Sequence, residues 1–315
     1  MGVRLANRAT RGYRATVAGD RIWTAIALRL MCGMMFAVMN AAAKLAEAAG
    51  ATLGEIVFWR QAGAALLVTL VLSAGPGLAS VRTERFGSHV LRAVVGLTAM
   101  GFTFYAILAL PLAEVTAIGF SIPVFATILG ALVLREPTGW HRWAAVLLGF
   151  AGVLIVTGLG DGHLPLWGAL AGLAGAFGTA NISILLRNMS RSERPLTIVF
   201  WFSVLSLLPL GIVYAFVAQP HPPLTWLVMI GVGVLGGIAQ LAMTGSLRFG
   251  PVSVVVPMDY VSLVWATLLG WWLFETLPSA TTWLGAPIIV ASGLYIIWRE
   301  HLRRQLETVQ AVPDP

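Results

Sequence analysis

Ten times along the chain an apolar stretch runs for about 20 residues, and this recurrence limits the fold more than any other feature. A bilayer core about 30 Å thick is crossed by roughly 20 apolar residues in a helix. The windows fall at about 23–44, 53–73, 89–109, 112–134, 141–158, 164–186, 195–217, 225–246, 251–273 and 281–298. Lipid offers no partner to backbone N–H and C=O groups, so open strands are excluded and helices remain. Composition agrees. The chain is 58% hydrophobic and 10% charged, with a mean hydropathy of +0.85, whereas soluble domains carry about 25% charged residues. The expected fold class is an all-α integral membrane protein with ten transmembrane helices.

The formal net charge of +7 would suit nucleic acid if the basic residues shared one exposed face. They do not; they fall in short segments between apolar runs, where they meet anionic lipid and set orientation. Arg4, Arg8, Arg11, Arg14 and Arg21 precede the first run. Every second connection after it is basic: Arg82, Arg85 and Arg92, then Arg135 and Arg142, then Arg187, Arg191 and Arg194, then Arg248, then Arg299, Arg303 and Arg304. The alternate connections, near 45–52, 110–111, 159–163, 218–224 and 275–280, hold no Lys or Arg. This alternation predicts a multi-pass protein of the cell (inner) membrane with both termini cytoplasmic. Cys32 is the only cysteine, so no intramolecular disulfide exists. A basic start followed by an apolar run and AAAKLAEAAGA also suits a cleaved leader. The run from Trp23 is long for a leader core and would contain Asn40 to Lys44, which favours an uncleaved first span.

PLAEVTAIGFSIPVFATILG (111–130) aligns with PVSVVVPMDYVSLVWATLLG (251–270) without a gap, at a constant offset of 140. Pro111/Pro251, Val115/Val255, Thr127/Thr267 and Gly130/Gly270 are identical, and Phe120 matches Tyr260. A glutamate follows each block, Glu136 and Glu275. The repeat unit is five helices, an odd number, so the second copy is inverted in the membrane. Inverted repeats are the architecture of many secondary transporters, with the site near the midplane between halves. The expected division is a basic tail (1–22), a first repeat (23–158), a second repeat (164–298) and a tail (299–315).

Five plus five helices and this duplicated block resemble the drug/metabolite transporter superfamily, EamA type. Residues 89–136 and VPMDYVSLVWATLLGWWLFE (256–275) carry the resemblance, which is nearest the branch of S-adenosylmethionine and riboflavin transporters. It implies a carrier of small organic metabolites, without a tightly bound prosthetic group, working by exchange or proton coupling. The family pattern usually has Gly before the glutamate that ends the ninth helix; here Phe274 precedes Glu275.

Pro123 and Pro257 interrupt two apolar runs and are expected to kink them. Gly168 and Gly172, and Gly233 and Gly237, stand at GxxxG spacing. Packing inside the bundle is the plain reading; a homodimer or helix sliding are the others. Asn40, Tyr105, Ser121, Asn181, Gln240 and Tyr260 are deep polar residues on separate helices, and with Trp201 and Trp265 they are the candidate lining of a central cavity. Singly, each is better explained by a bond to a neighbouring helix. Arg29 lies ~9 Å inside its helix end, within snorkelling range of the surface. Arg60 lies ~10 Å from one face and Asp259 ~12 Å from the other, roughly 8 Å apart in depth. Arg60 and Asp259 are therefore candidates for substrate or proton binding, or for an ion pair between them. No HExxH, GxSxG, phosphate loop or paired intramembrane aspartate is present, which weighs against a membrane-embedded enzyme.

Overall fold

In the computed structural model the backbone is described for residues 2–133, 140–157, 164–189, 192–249 and 256–310. Arg135, Glu136, His163, Arg191, Pro251 and Val255 lie outside the described residues. Among the described residues every regular element is helical. They are α1 (Gly2–Ala48), α2 (Leu53–Ala74), α3 (Phe86–Ala109), α4 (Leu112–Gly119), α5 (Ile122–Leu132), α6 (Trp140–Thr157), α7 (Leu166–Met189), α8 (Pro195–Val217) and α9 (Pro223–Phe249), then α10 (Ser262–Phe274) and α11 (Ala280–Gln310). Short 3-10 turns occupy Leu78–Val81 and Val256–Val261.

Eight helical segments are long and apolar enough to cross a membrane, α4 and α5 counting together as Leu112–Leu132. Two shorter apolar helices, Trp143–Thr157 and Met258–Phe274, occupy the remaining windows. The protein is a multi-pass, all-helical membrane protein.

Local chemistry places the helix ends. Thr52 caps α2: its hydroxyl accepts from the Glu55 amide while the Glu55 carboxylate reaches back to the Thr52 N–H, a capping box that satisfies two orphan donors. Pro195 opens α8, where its missing N–H costs nothing. Pro123 has no N–H to offer one turn back, so the α4–α5 span breaks at Phe120 and Ser121. There the chain tightens: Ser121 N–H and Oγ both donate to the Ile118 carbonyl, at 3.0 and 2.7 Å. At the far end of α10 Glu275 takes a left-handed conformation, φ 53°, while Thr276 N–H closes on the Gly270 carbonyl. That position favours glycine, because a Cβ there crowds the backbone.

The principal helix pairs are α1 on α9, α3 on α7, α2 on both α8 and α9, and α6 on α11. The α4–α5 span lies on α7 and α10, and α1 covers the Val256–Val261 turn and α10. In lipid such pairs are held by close packing of small residues rather than by a hydrophobic effect. A Cβ at Gly63 of α2 would strike the Gly233 backbone of α9, and one at Gly237 would meet Leu67. Gly168 and Gly172 of α7 face Leu110, Ala106 and Ile118. Both GxxxG pairs therefore meet neighbours within the bundle.

Candidate functional site

Two sets of buried polar groups lie toward opposite ends of the bundle, and a third lies between them. At the end where α1 passes to α2, three charged side chains tie loops to helices. The Glu55 carboxylate is fully buried. Besides its own cap it accepts from the Gln219 N–H at 3.0 Å and contacts His221 Nε2 at 2.8 Å, joining α2 to the α8–α9 connection. Glu114, 1% exposed, accepts from the Ser279 N–H at 2.9 Å and from Thr282 Oγ1 at 3.4 Å, joining α4 to α11. Lys44 Nζ donates to the carbonyls of Ile107, Leu108 and Leu110, where α3 ends and its orphan acceptors gather. Glu55→Ala removes the reciprocal half of the capping box and the bonds to Gln219 and His221, so it should cost about 1–3 kcal/mol in detergent unfolding. Thr52→Ser keeps the capping geometry and serves as the near-neutral comparison. A Glu55→Ala protein as stable as its parent would remove this tie from the account.

Toward the opposite end, Asp259 sits in the Val256–Val261 turn, where the chain has not yet become α10. Its carboxylate takes both arms of a guanidinium fork, but the fork belongs to Arg29 of α1. Nε donates to Oδ1 and Nη2 to Oδ2, each at 2.5 Å. Arg29 is 8% exposed, so it does not snorkel. The reason is packing: α1 lies directly on the turn and α10, whereas α2 lies on α8 and α9. Ser262 Oγ donates to the Asp259 carbonyl and steadies the turn. The next residue, Tyr260, meets Phe120 edge to face at 4.9 Å. The two positions matched at offset 140 thus touch where the two broken spans cross.

Arg60 lies in the middle set. Its Nη1 donates to Gln61 Oε1 at 2.6 Å, and Gln61 Nε2 reaches the Phe202 carbonyl of α8 at 3.5 Å. Arg92 of α3 lays its guanidinium over the Phe202 ring, 4.2 Å from the centroid, within electrostatic reach of Arg60. Sequence reasoning grouped Arg92 with the surface cations. The signal was its place inside an apolar run, with Gly96 one turn further on.

The other expected lining residues divide. Ser121 is buried at the α4–α5 break, while Trp265 and Gln240 are half-buried on α10 and α9. Asn40 is half-buried on α1. Asn181 Nδ2 donates to the Phe177 carbonyl of its own helix at 2.9 Å. Trp201 Nε1 donates to the Val81 carbonyl at 2.8 Å and meets Phe86 edge to face, so it braces the α2–α3 connection. Tyr105 is 45% exposed and lines a cleft of about 590 Å³ with Leu53, Leu97, Phe102 and Trp167.

Comparison with known proteins agrees with a bundle of this kind. The chain is 31% identical over 271 residues to a riboflavin transporter of Vibrio cholerae, covering 85% of this chain and 90% of that one. It is 28% identical to a pseudopaline exporter of Pseudomonas aeruginosa, covering 87% and 95%. An S-adenosylmethionine uptake transporter of Rickettsia bellii is 25% identical, covering 71% and 77%. A solved crystal structure shares the fold with a TM-score of 0.59 at 19% identity, covering 86% of this chain and 97% of that one. The model of the EamA-like transporter family matches twice, over residues 23–158 and 166–298, and with most of its length so matched the chain belongs to that family.

Proposed function

We propose that the protein is a secondary transporter that moves a small organic metabolite across the inner membrane by alternating access. Its ten spans form two inverted five-helix repeats, 23–158 and 164–298, and both termini are cytoplasmic. One observation carries this reading. Exchanging each span for the one five places along converts α1 on α9 into α7 on α3, and α2 on α9 into α8 on α3. The same exchange converts α1 on α10 into α7 on the α4–α5 span, and it leaves α2 on α8 and α6 on α11 unchanged. A packing pattern that survives this exchange is what two inverted copies of one unit produce. The contact between Phe120 and Tyr260 belongs on the axis relating them.

Broken helices near the midplane are where such carriers bind cargo. The cargo-binding set proposed here is Asn40, Arg60, Ser121, Gln240, Asp259, Tyr260 and Trp265, with Tyr105, Asn181 and Trp201 at its margins. Asp259 is the candidate carrier of a coupled proton. Arg29 holding Asp259 closes the bundle on the α1–α10 side, and opening there requires that pair to part. The relatives' names support a small organic cargo, and amphipathic metabolites such as riboflavin or S-adenosylmethionine are the class this reading favours. The rival reading, an enzyme acting on a lipid-soluble substrate, has no support among these transporter relatives.

Uptake by proteoliposomes tests the proposal. Saturable, competable uptake of labelled riboflavin or S-adenosylmethionine, compared with and without a pH gradient, is the expected result. Vesicles that move only inorganic ions would overturn it.

A further inference from the structure

Arg60 and Arg92 are 8% and 7% exposed, on neighbouring helices within the membrane-spanning bundle. A charge held there costs a few kcal/mol or more and normally finds an opposite charge or reaches back to water. Neither outcome holds here. The carboxylates inside the bundle and at its rim are engaged elsewhere among the described residues: half-buried Asp259 with Arg29, Glu55 with Gln219 and His221, Glu114 with Ser279 and Thr282, and Glu193 with Thr83 and His89. Among the described residues no carboxylate forms an ion pair with Arg60 or Arg92. Their partners are neutral, the Gln61 amide and the Phe202 ring, and Arg60 Nε, Arg92 Nε and Arg92 Nη1 have no hydrogen-bond partner.

The direction of Arg92 adds a second argument. Helical side chains lean toward the helix N-terminus, which for Arg92 is also the near membrane face. Arg92 turns the other way. Its Nη1 lies over Gly96, one turn deeper, where a Cβ would collide with both it and the Phe202 ring. Gly236 of α9 similarly leaves room beside Arg60, with Cγ and Nε 3.5 and 3.6 Å from where a Cβ would stand. Arg92 and the Arg60–Gln61 pair therefore both stand against Phe202, one on its ring and the other through its carbonyl, with Gly96 and Gly236 leaving room beside the guanidinium groups. Guanidinium forks match carboxylate and phosphate oxygens through paired, charge-assisted hydrogen bonds.

We propose that Arg60 and Arg92, with Gln61 bonded to Arg60, form a binding site for the oxyanion group of the cargo, so that this carrier favours metabolites bearing a carboxylate or a phosphate, as S-adenosylmethionine does, over those such as riboflavin that bear neither. Phe202 holds Arg92 in place by its ring face. The proposal rests on the transporter reading only in calling the anion cargo; binding of the anion itself requires no flux.

The test uses the full chain in detergent, with melting followed during titration of sodium acetate or sodium phosphate against sodium chloride at constant ionic strength. Acetate separates a carboxylate cargo from a phosphate cargo, and acetamide is the neutral control. One of the two anions should raise the melting temperature saturably, by about 2–4 °C at tenfold excess over its Kd, while acetamide does nothing. Arg92→Gln and Arg60→Gln should each abolish the rise. If either fails to fold, Arg92→Lys keeps the charge without the fork and should weaken anion binding at least about tenfold. The proposal is overturned if neither anion shifts the parent protein, or if Gln and Lys variants respond like the parent. Such failure would leave the transport reading standing, whereas anion binding without organic flux would fail the transport reading alone.

Discussion

Asp259→Asn is expected to stop solute flux and to lower stability by about 1–2 kcal/mol. Breaking a fully buried ion pair costs about 3–5 kcal/mol, because it leaves the remaining charge uncompensated. The smaller figure reflects the 37% exposure of the Asp259 side chain, which lets solvent screen the pair. Asparagine keeps the volume and offers Arg29 one neutral oxygen in place of two charged ones. Neutralising both partners, as Arg29→Gln with Asp259→Asn, removes the stranded charge and should restore most of the stability. Flux should stay lost, because the proposed cycle needs a carboxylate that can release Arg29. Parent-like flux in the single variant would strike Asp259 from the mechanism. Flux regained in the double variant would reduce the pair to a packing device. Arg60 is the informative control: sequence depth alone allowed it as the partner, yet neutralising it should not rescue Asp259→Asn.

Gly63→Val should be the most destabilising single change outside the polar sites, at about 3 kcal/mol or more. The α2 and α9 backbones touch at Gly63 and Gly233, so no flexible side chain can yield to an added Cβ. The helices must separate, and the damage spreads to Gly237 against Ala64 and Leu67 on the same seam. A monodisperse peak lost from size exclusion in mild detergent, or a melting point lowered by many degrees, is the expected readout. Gly87→Ala is the matched control, because a Cβ there meets nothing within 4 Å. Equal behaviour of the two variants would show that the seam is looser than its geometry.

Much of this architecture is written in the order of residue types. The positions of the apolar windows follow from bilayer thickness and helix rise, two constants that leave little freedom. The break at Pro123 follows from one missing N–H. The ungapped alignment at an offset of 140 matched Phe120 with Tyr260, and their rings meet. Glu55 and its tie to Gln219 and His221 went unread in the sequence, because the residues it joins lie far apart along the chain.

What the chain order determined by itself was depth: how far each charge lies from the end of its helix. Depth made Arg29 a candidate for the surface and Arg60 a candidate for Asp259. Only the tertiary structure decided azimuth and adjacency, and these reversed both assignments. Helix axes in contact lie about 8–10 Å apart, so a guanidinium can reach a group on a touching helix and little beyond it. Because α1, and not α2, lies on the turn that carries Asp259, the carboxylate went to Arg29. Arg60 was left beside Arg92, with no carboxylate among the described residues to pair with either.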